Sequence, residues 1–420
     1  MGRASPRPPP LYARALNAAG AGLERTGLLA RLALDPDALV RAARARTRLE
    51  DFGDLPLAEP LERLTRATED ESQLTLTGRI AIRRYLLDLL VNRLELQRDR
   101  TRDARIAAQT ITRPVFILGM PRTGTTLLHN LIAQDDAVRV PLTWEVMYPS
   151  PPPRTGDVPD ARIARCTRAL RWLDRLAPDF KRIHPVGALL PQECIAITTH
   201  AFASIQFHTT QRVPAYEDWL EGGHMKGAYL CHRQFLQQLQ LHCAGRRWLL
   251  KAPGHLFSLD ALLDVYPDAS LVQTHRDPLR IVASIASHGV VLRAAFSDAV
   301  DPREVASDWS ARWSNALAHA LRVRDASSAP GRFLDLRYEE IVSDPIGAVR
   351  AIYAHAELEL RRDAEQRMRA FLAANPQDRH GPHRYTLDEY GLDRDEEASR
   401  YAGYCRRFGI ERETQRSLPA

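Results

Sequence analysis

Lysine is almost missing from this chain. Of its 58 lysine and arginine residues only Lys181, Lys226 and Lys251 are lysine. On a solvated surface the two cations are nearly interchangeable, but where a compact ammonium is needed they are not, so each surviving lysine is a candidate. Cysteine is scarce too. Cys166, Cys194, Cys231, Cys243 and Cys405 are odd in number and form no Cys-x-x-Cys pair. That excludes a disulfide framework and a zinc site and suits a reducing, cytoplasmic compartment. No apolar run approaches the roughly 18 residues of a membrane span. The opening "MGRASPRPPPLYARALNAAG" has no apolar core of signal-peptide length, and Pro6 stands where a myristoylation pattern wants Ser or Thr. Runs of like charge and internal repeats are absent as well. The net charge of +6 comes from dispersed arginine. With no nucleic-acid motif beside it, that charge points to small anionic ligands and not to nucleic acid.

What is present falls into two textures. Residues 1–112 read as a helical extension. Asp35-Pro36 is a helix start, with Leu39, Val40 and Ala43 on one face. "GRIAIRRYLLDLLVNRLEL" carries Ile82, Leu86, Leu89 and Leu90 on another. This part carries no visible chemistry and is expected to pack on the main domain or to mediate a homo-oligomer. Residues 113–420 read as one α/β domain. "PVFILG", "RRWLLK", "ASLVQTHRD" and "RFLDLRY" are short apolar runs, each followed by a helical pattern. This alternation implies a P-loop-like parallel sheet flanked by helices, with ligands at the carboxyl ends of its strands. Pro278 marks one helix start, Gly289 its end, and Pro345 another start. The proline-rich 147–159 segment reads as a long loop.

The stretch from Gly119 to Thr126, G-M-P-R-T-G-T-T, has the glycines, spacing, strand and helix of an ATP-binding loop. Its lysine position is occupied by Thr125. That lysine normally meets the β- and γ-phosphates. The loop's cation is Arg122, three residues earlier. Such a loop still cradles one phosphate with backbone N–H groups at a helix N-terminus, but it is poorly equipped for a triphosphate.

Here the chain resembles the sulfotransferases that use 3′-phosphoadenosine 5′-phosphosulfate (PAPS), whose 5′-phosphosulfate loop usually reads P-K-S-G-T-T or P-R-S-G-T-T. The resemblance implies that Arg122, Thr123, Gly124, Thr125, Thr126 and Leu127 border the phosphosulfate. It also implies a 3′-phosphate site from an Arg at a strand end and a Ser eight residues on, which "THRDPLRIVASI" supplies as Arg276 and Ser284. "LRYEEIVSDP" resembles the element whose Tyr lies near the adenine, here Tyr338. "RHGPHRYTLDEYGLD" resembles a segment of the large bacterial group, with Pro382 in place of its usual basic residue and Arg379 or Arg384 as substitutes. "HPVGALLPQECIAI" also resembles that group and offers His184 and Glu193 as acceptor-pocket residues.

Sulfuryl transfer is an in-line displacement that needs a base and cations and requires no metal. The cations expected are Arg122 and Lys251, the latter at a strand end where the family places a lysine facing the sulfate. Two residues compete as base. Glu145 lies where the tyrosyl-protein group places an acid. His255, in "LKAPGHL", resembles the K-T-H of cytosolic members with two extra residues. The expected acceptor is a small-molecule, lipid or glycan hydroxyl or amine. A P-loop small-molecule kinase and a non-catalytic nucleotide-binding scaffold are the alternatives.

Overall fold

A computed structural model describes residues 14–18, 20, 32–154, 160–176, 186–243, 246–375 and 386–412. Its centre is a five-stranded parallel sheet: β1 (Val115–Gly119), β2 (Val138–Arg139), β3 (Arg247–Lys251), β4 (Ser270–His275) and β5 (Phe333–Arg337), in the order β2-β3-β1-β4-β5. Every residue of β1 and β4 is buried, as continuous apolar runs in a doubly covered sheet should be. The four expected strands are present. The two-residue β2 is added at the edge, and it is too short to leave a periodic signal.

The period of two divides the core between the two faces. Phe116, Leu118, Leu250 and Leu271 join one cluster with Leu39, Leu64 and Leu86 of the N-terminal helices. Val115, Ile117, Leu249 and Val272 join the other, under helices Thr125–Ile132, Pro345–His355 and Arg362–Ala374. The described N-terminal helices therefore complete the core of the sheet. Asp35 caps helix Pro36–Thr47 by accepting from the Ala38 amide at 2.7 Å. The 27-residue helix Leu76–Arg102 is tied down along its length. Its Arg93 donates to the carbonyls of Phe52 and Pro56, Asn92 donates to that of Met147, and the Tyr85 hydroxyl reaches Thr199.

One helix limit differs from expectation. Gly289 does not end its helix, which runs on as Pro278–Ala294. A Cβ at Gly289 would lie 2.9 Å from Val305 and 3.1 Å from the Trp309 indole nitrogen, so the glycine serves a close helix crossing and not a stop. No helix among the described residues is long and apolar enough to cross a membrane.

Gly78 marks the tightest seat of the N-terminal helices. A Cβ there would lie 2.1 Å from the Phe296 carbonyl oxygen, beside the Thr75 amide that donates to the same carbonyl. Gly78→Ala is expected to destabilise the protein by about 1–3 kcal/mol in denaturant unfolding. That sign opposes the gain of about 1 kcal/mol that alanine brings to a free helix. A stabilised variant would mean that the helix does not dock there.

Candidate functional site

The carboxyl ends of β3, β1 and β4 lie side by side. Between them sits the loop that joins β1 to the helix Thr125–Ile132. Gly119 has φ +145°, and a Cβ there would fall 2.3 Å from the Thr274 hydroxyl. Only glycine suits both the angle and the space. Arg122, exposed, also has positive φ (69°), which is uncommon for a residue with a side chain. Gly124, with φ +90°, caps the helix.

The loop is held from within. The Thr123 hydroxyl lies 2.6 Å from the Met120 carbonyl and 2.6 Å from the hydroxyl of Thr274 on β4. The Thr123 hydroxyl is thus buried and engaged inside the protein. Thr125 is buried as well, while Thr126 and Leu127 are half-buried on the first turn.

Arg276 leaves the end of β4 and reaches back across the loop. Its Nη1 donates to the Arg122 carbonyl at 3.1 Å, and its guanidinium lies 3.8 Å over the Tyr338 ring. The predicted phosphosulfate loop, 3′-phosphate arginine and adenine tyrosine are therefore contiguous. Asp277 caps the next helix, and half-buried Ser284 closes its second turn. Arg384, with Arg379 and His184, lies outside the described residues.

Lys251 ends β3 on the same face as the loop helix and is only 2% exposed. An ammonium this buried needs compensation. Glu193 forms its ion pair, and Thr126 accepts from it at 3.3 Å. His129, one helical turn beyond Thr126, is buried close to the pair. Burial first, then the Lys251 charge, hold its pKa down at about 3, so its imidazole is neutral. Sequence reading passed over His129 as one more residue in an apolar helix. Its i, i+3 spacing from Thr126 was the available signal.

The two expected bases are placed differently. Glu145 is 3% exposed, with one oxygen paired to buried Arg139 and the other accepting the Leu142 amide at 2.9 Å. Arg139 in turn lies over the Trp248 ring. A carboxylate so engaged is a helix cap and a counter-ion, an arrangement different from the free base expected of it. His255 is 2% exposed, in the turn after Lys251, with Nδ1 2.9 Å from the Tyr229 hydroxyl and Nε2 unpartnered. Burial lowers its pKa to about 3, opposed by the charge of Glu193. It is thus neutral and close to the Lys251–Glu193 pair.

A buried ion pair that loses one member leaves the other uncompensated, at a typical cost of about 3–5 kcal/mol. Glu145→Gln is therefore expected to lower unfolding free energy by about that amount, because Arg139 keeps its charge. An unchanged denaturation midpoint with turnover reduced about 10²-fold or more would restore Glu145 as the base.

A model of the sulfotransferase family matches residues 114–362, more than half of the chain. The chain is 27% identical over 299 residues to the omega-hydroxy-beta-dihydromenaquinone-9 sulfotransferase Stf3 of Mycobacterium bovis, covering 66% of this chain and 71% of that protein. The crystal structure of sulfotransferase STF1 from Mycobacterium tuberculosis H37Rv superposes with a TM-score of 0.73 at 31% identity, covering 87% of this chain and 98% of that one. Sulfotransferase STF9 from Mycobacterium avium gives 0.80 at 28% identity, with coverages of 90% and 98%.

Proposed function

The chain belongs to the sulfotransferase family, and from that premise we propose that it moves a sulfuryl group from PAPS to a hydroxyl on an apolar small-molecule or lipid acceptor, without a metal. The observation that carries the donor assignment is the junction of Arg276 with the Arg122 carbonyl and the Tyr338 ring. It joins two separate anion-binding elements on neighbouring strands. A donor with phosphate at both ends of one nucleoside needs that spacing, and a nucleoside triphosphate does not. The apolar acceptor is suggested by the relative named for a hydroxylated menaquinone derivative.

In the proposed reaction the loop amides and Arg122 hold the 5′-phosphosulfate. The acceptor oxygen attacks sulfur, the bond from sulfur to the 5′-phosphate oxygen breaks, and 3′,5′-adenosine diphosphate leaves. Lys251 lies at the rim of the loop helix, where its ammonium offsets charge gathering on that oxygen. Glu193 takes the acceptor proton. It is the carboxylate already held against the reacting centre by Lys251, a role that Glu145 cannot fill from its cap. When Lys251 turns toward the sulfuryl group, its grip on Glu193 loosens and the carboxylate is exposed to the acceptor hydroxyl. Neutral His255 and His129 shape the site beside this pair.

Calorimetry with chelator present tests the donor. The expectation is binding of 3′,5′-adenosine diphosphate at roughly −8 kcal/mol or better, micromolar or tighter. Arg276→Ala should weaken it about tenfold or more, a charge-assisted hydrogen bond being worth about 1.5–3 kcal/mol. Exposed Arg280 should matter much less. Equal binding of ATP with magnesium, or equal effects at the two arginines, would overturn the reading.

Glu193→Gln keeps shape and loses proton acceptance. Turnover is expected to fall by about 10²–10⁴ while affinity for 3′,5′-adenosine diphosphate stays nearly unchanged. If His255→Asn removes turnover and Glu193→Gln is mild, the proton goes to the imidazole instead.

A further inference from the structure

Beside the Lys251–Glu193 pair lies a small cavity. Its walls come from the helices Cys194–Thr198 and Pro214–Glu221 and from the turn Pro253–Ser258. It adjoins the reacting centre on two sides: Cys194 follows Glu193, and His255 lies four residues beyond Lys251. Most of its lining is apolar, including Ile195, Ile205, Leu220, Met225 and Phe257. At about 20 Å³ it is the size of one oxygen-bearing group.

Two buried polar groups on this wall have no partner. One is His255 Nε2. The other is Glu217, 1% exposed, both of whose carboxyl oxygens make no hydrogen bond. An unsatisfied buried polar atom costs stability, and a carboxyl with both oxygens unmet calls for an explanation. The nearby cation does not supply one. Arg312 is taken by Asp218, Glu221 and Asp308.

We propose that this cavity receives the distal end of the acceptor, and that Glu217 selects acceptors carrying a neutral oxygen there by donating a hydrogen bond to it. This deepens the sulfotransferase reading and rests on it for the position of the acceptor hydroxyl. The occupant is a neutral oxygen and not an amine because no cation hydrogen-bonds Glu217 and most of the cavity wall is apolar. A carboxyl in such a place keeps its proton. Burial raises its pKa to about 8; Arg312 opposes the rise, while Glu221, Asp308 and Asp218 add to it. The other titratable groups on the cavity wall are Glu221, Cys194, Tyr229 and His255. Burial holds the thiol and phenol protonated and the imidazole neutral, and Glu221, whose pKa burial raises, is paired with Arg312. Below pH about 8 Glu217 is a donor; above it the ionised carboxylate repels a ligand oxygen.

The test is calorimetric titration of α,ω-diols and the matched monoalkanols, in graded chain lengths, into protein saturated with 3′,5′-adenosine diphosphate. A diol of the fitting length is expected to bind about tenfold more tightly than its alkanol. The preference should survive in Glu217→Gln, whose amide also donates, and vanish in Glu217→Leu. It should fade in the wild type as pH rises through about 8 and stay flat in the Gln variant. Equal binding of diols and alkanols at every length overturns the proposal, as does a preference that persists in Glu217→Leu. Tighter binding of amino alcohols, lost in Glu217→Gln, would make the cavity a cation site instead. The nucleotide titration separates the two ideas: loss of binding there refutes the donor reading, whereas intact binding without diol preference refutes only this pocket.

Discussion

Strand order is the constraint from which the site follows. With β3, β1 and β4 adjacent and parallel, their carboxyl ends deliver Lys251, the 119–124 loop and Arg276 to one edge of the sheet. Residues separated by well over a hundred positions become neighbours through backbone pairing, before any side chain is considered. The loop can approach β4 so closely because Gly119 has no Cβ and because the Thr123 and Thr274 hydroxyls close the remaining gap. Register and loop geometry are thus coupled. Shifting β1 against β4 by one residue would turn every side chain to the opposite face and part these hydroxyls.

Near that edge the chain buries several charged groups. Lys251 with Glu193, Arg139 with Glu145, and Glu217 with no partner all lie within the protein, and they serve different ends. Both Glu145 oxygens are engaged, one by Arg139 and one by the Leu142 amide, so this carboxylate reads as scaffold. The Lys251–Glu193 pair borders the loop helix through Thr126 and has the adjacency that proton transfer and charge stabilisation require.

Much of this was legible in the sequence for identifiable reasons. Continuous apolar runs with a helical pattern after each marked β1, β3 and β4, since burial on both faces leaves no alternation to confuse, and the half-exposed β5 was read from a shorter apolar stretch. The G-M-P-R-T-G-T-T stretch declared its chemistry through the residue it lacks, and the scarcity of lysine singled out Lys251. Other features had no such signal. β2 is two residues long. Gly289 resembled a helix stop, because a glycine needed for a helix crossing and one needed for an αL turn are the same letter. Glu145 and Glu193 are both acids near proline-rich or irregular sequence. Which of them meets Arg139 and which meets Lys251 depends on contacts across the fold.

By itself the sequence determined the parallel α/β class and pointed to a phosphate-binding loop with Arg122 and Lys251 as the expected cations. Those properties are local: they follow from periodicity over a few residues and from side-chain chemistry at fixed spacing. Only the tertiary structure decided which carboxylate pairs with Lys251 and which is a cap. It alone turned the Thr123 hydroxyl inward and left Glu217 unpartnered beside a cavity. Pairing and burial are properties of residues far apart in the chain, and the free energy of a buried charge or carboxyl is set by what the fold brings against it.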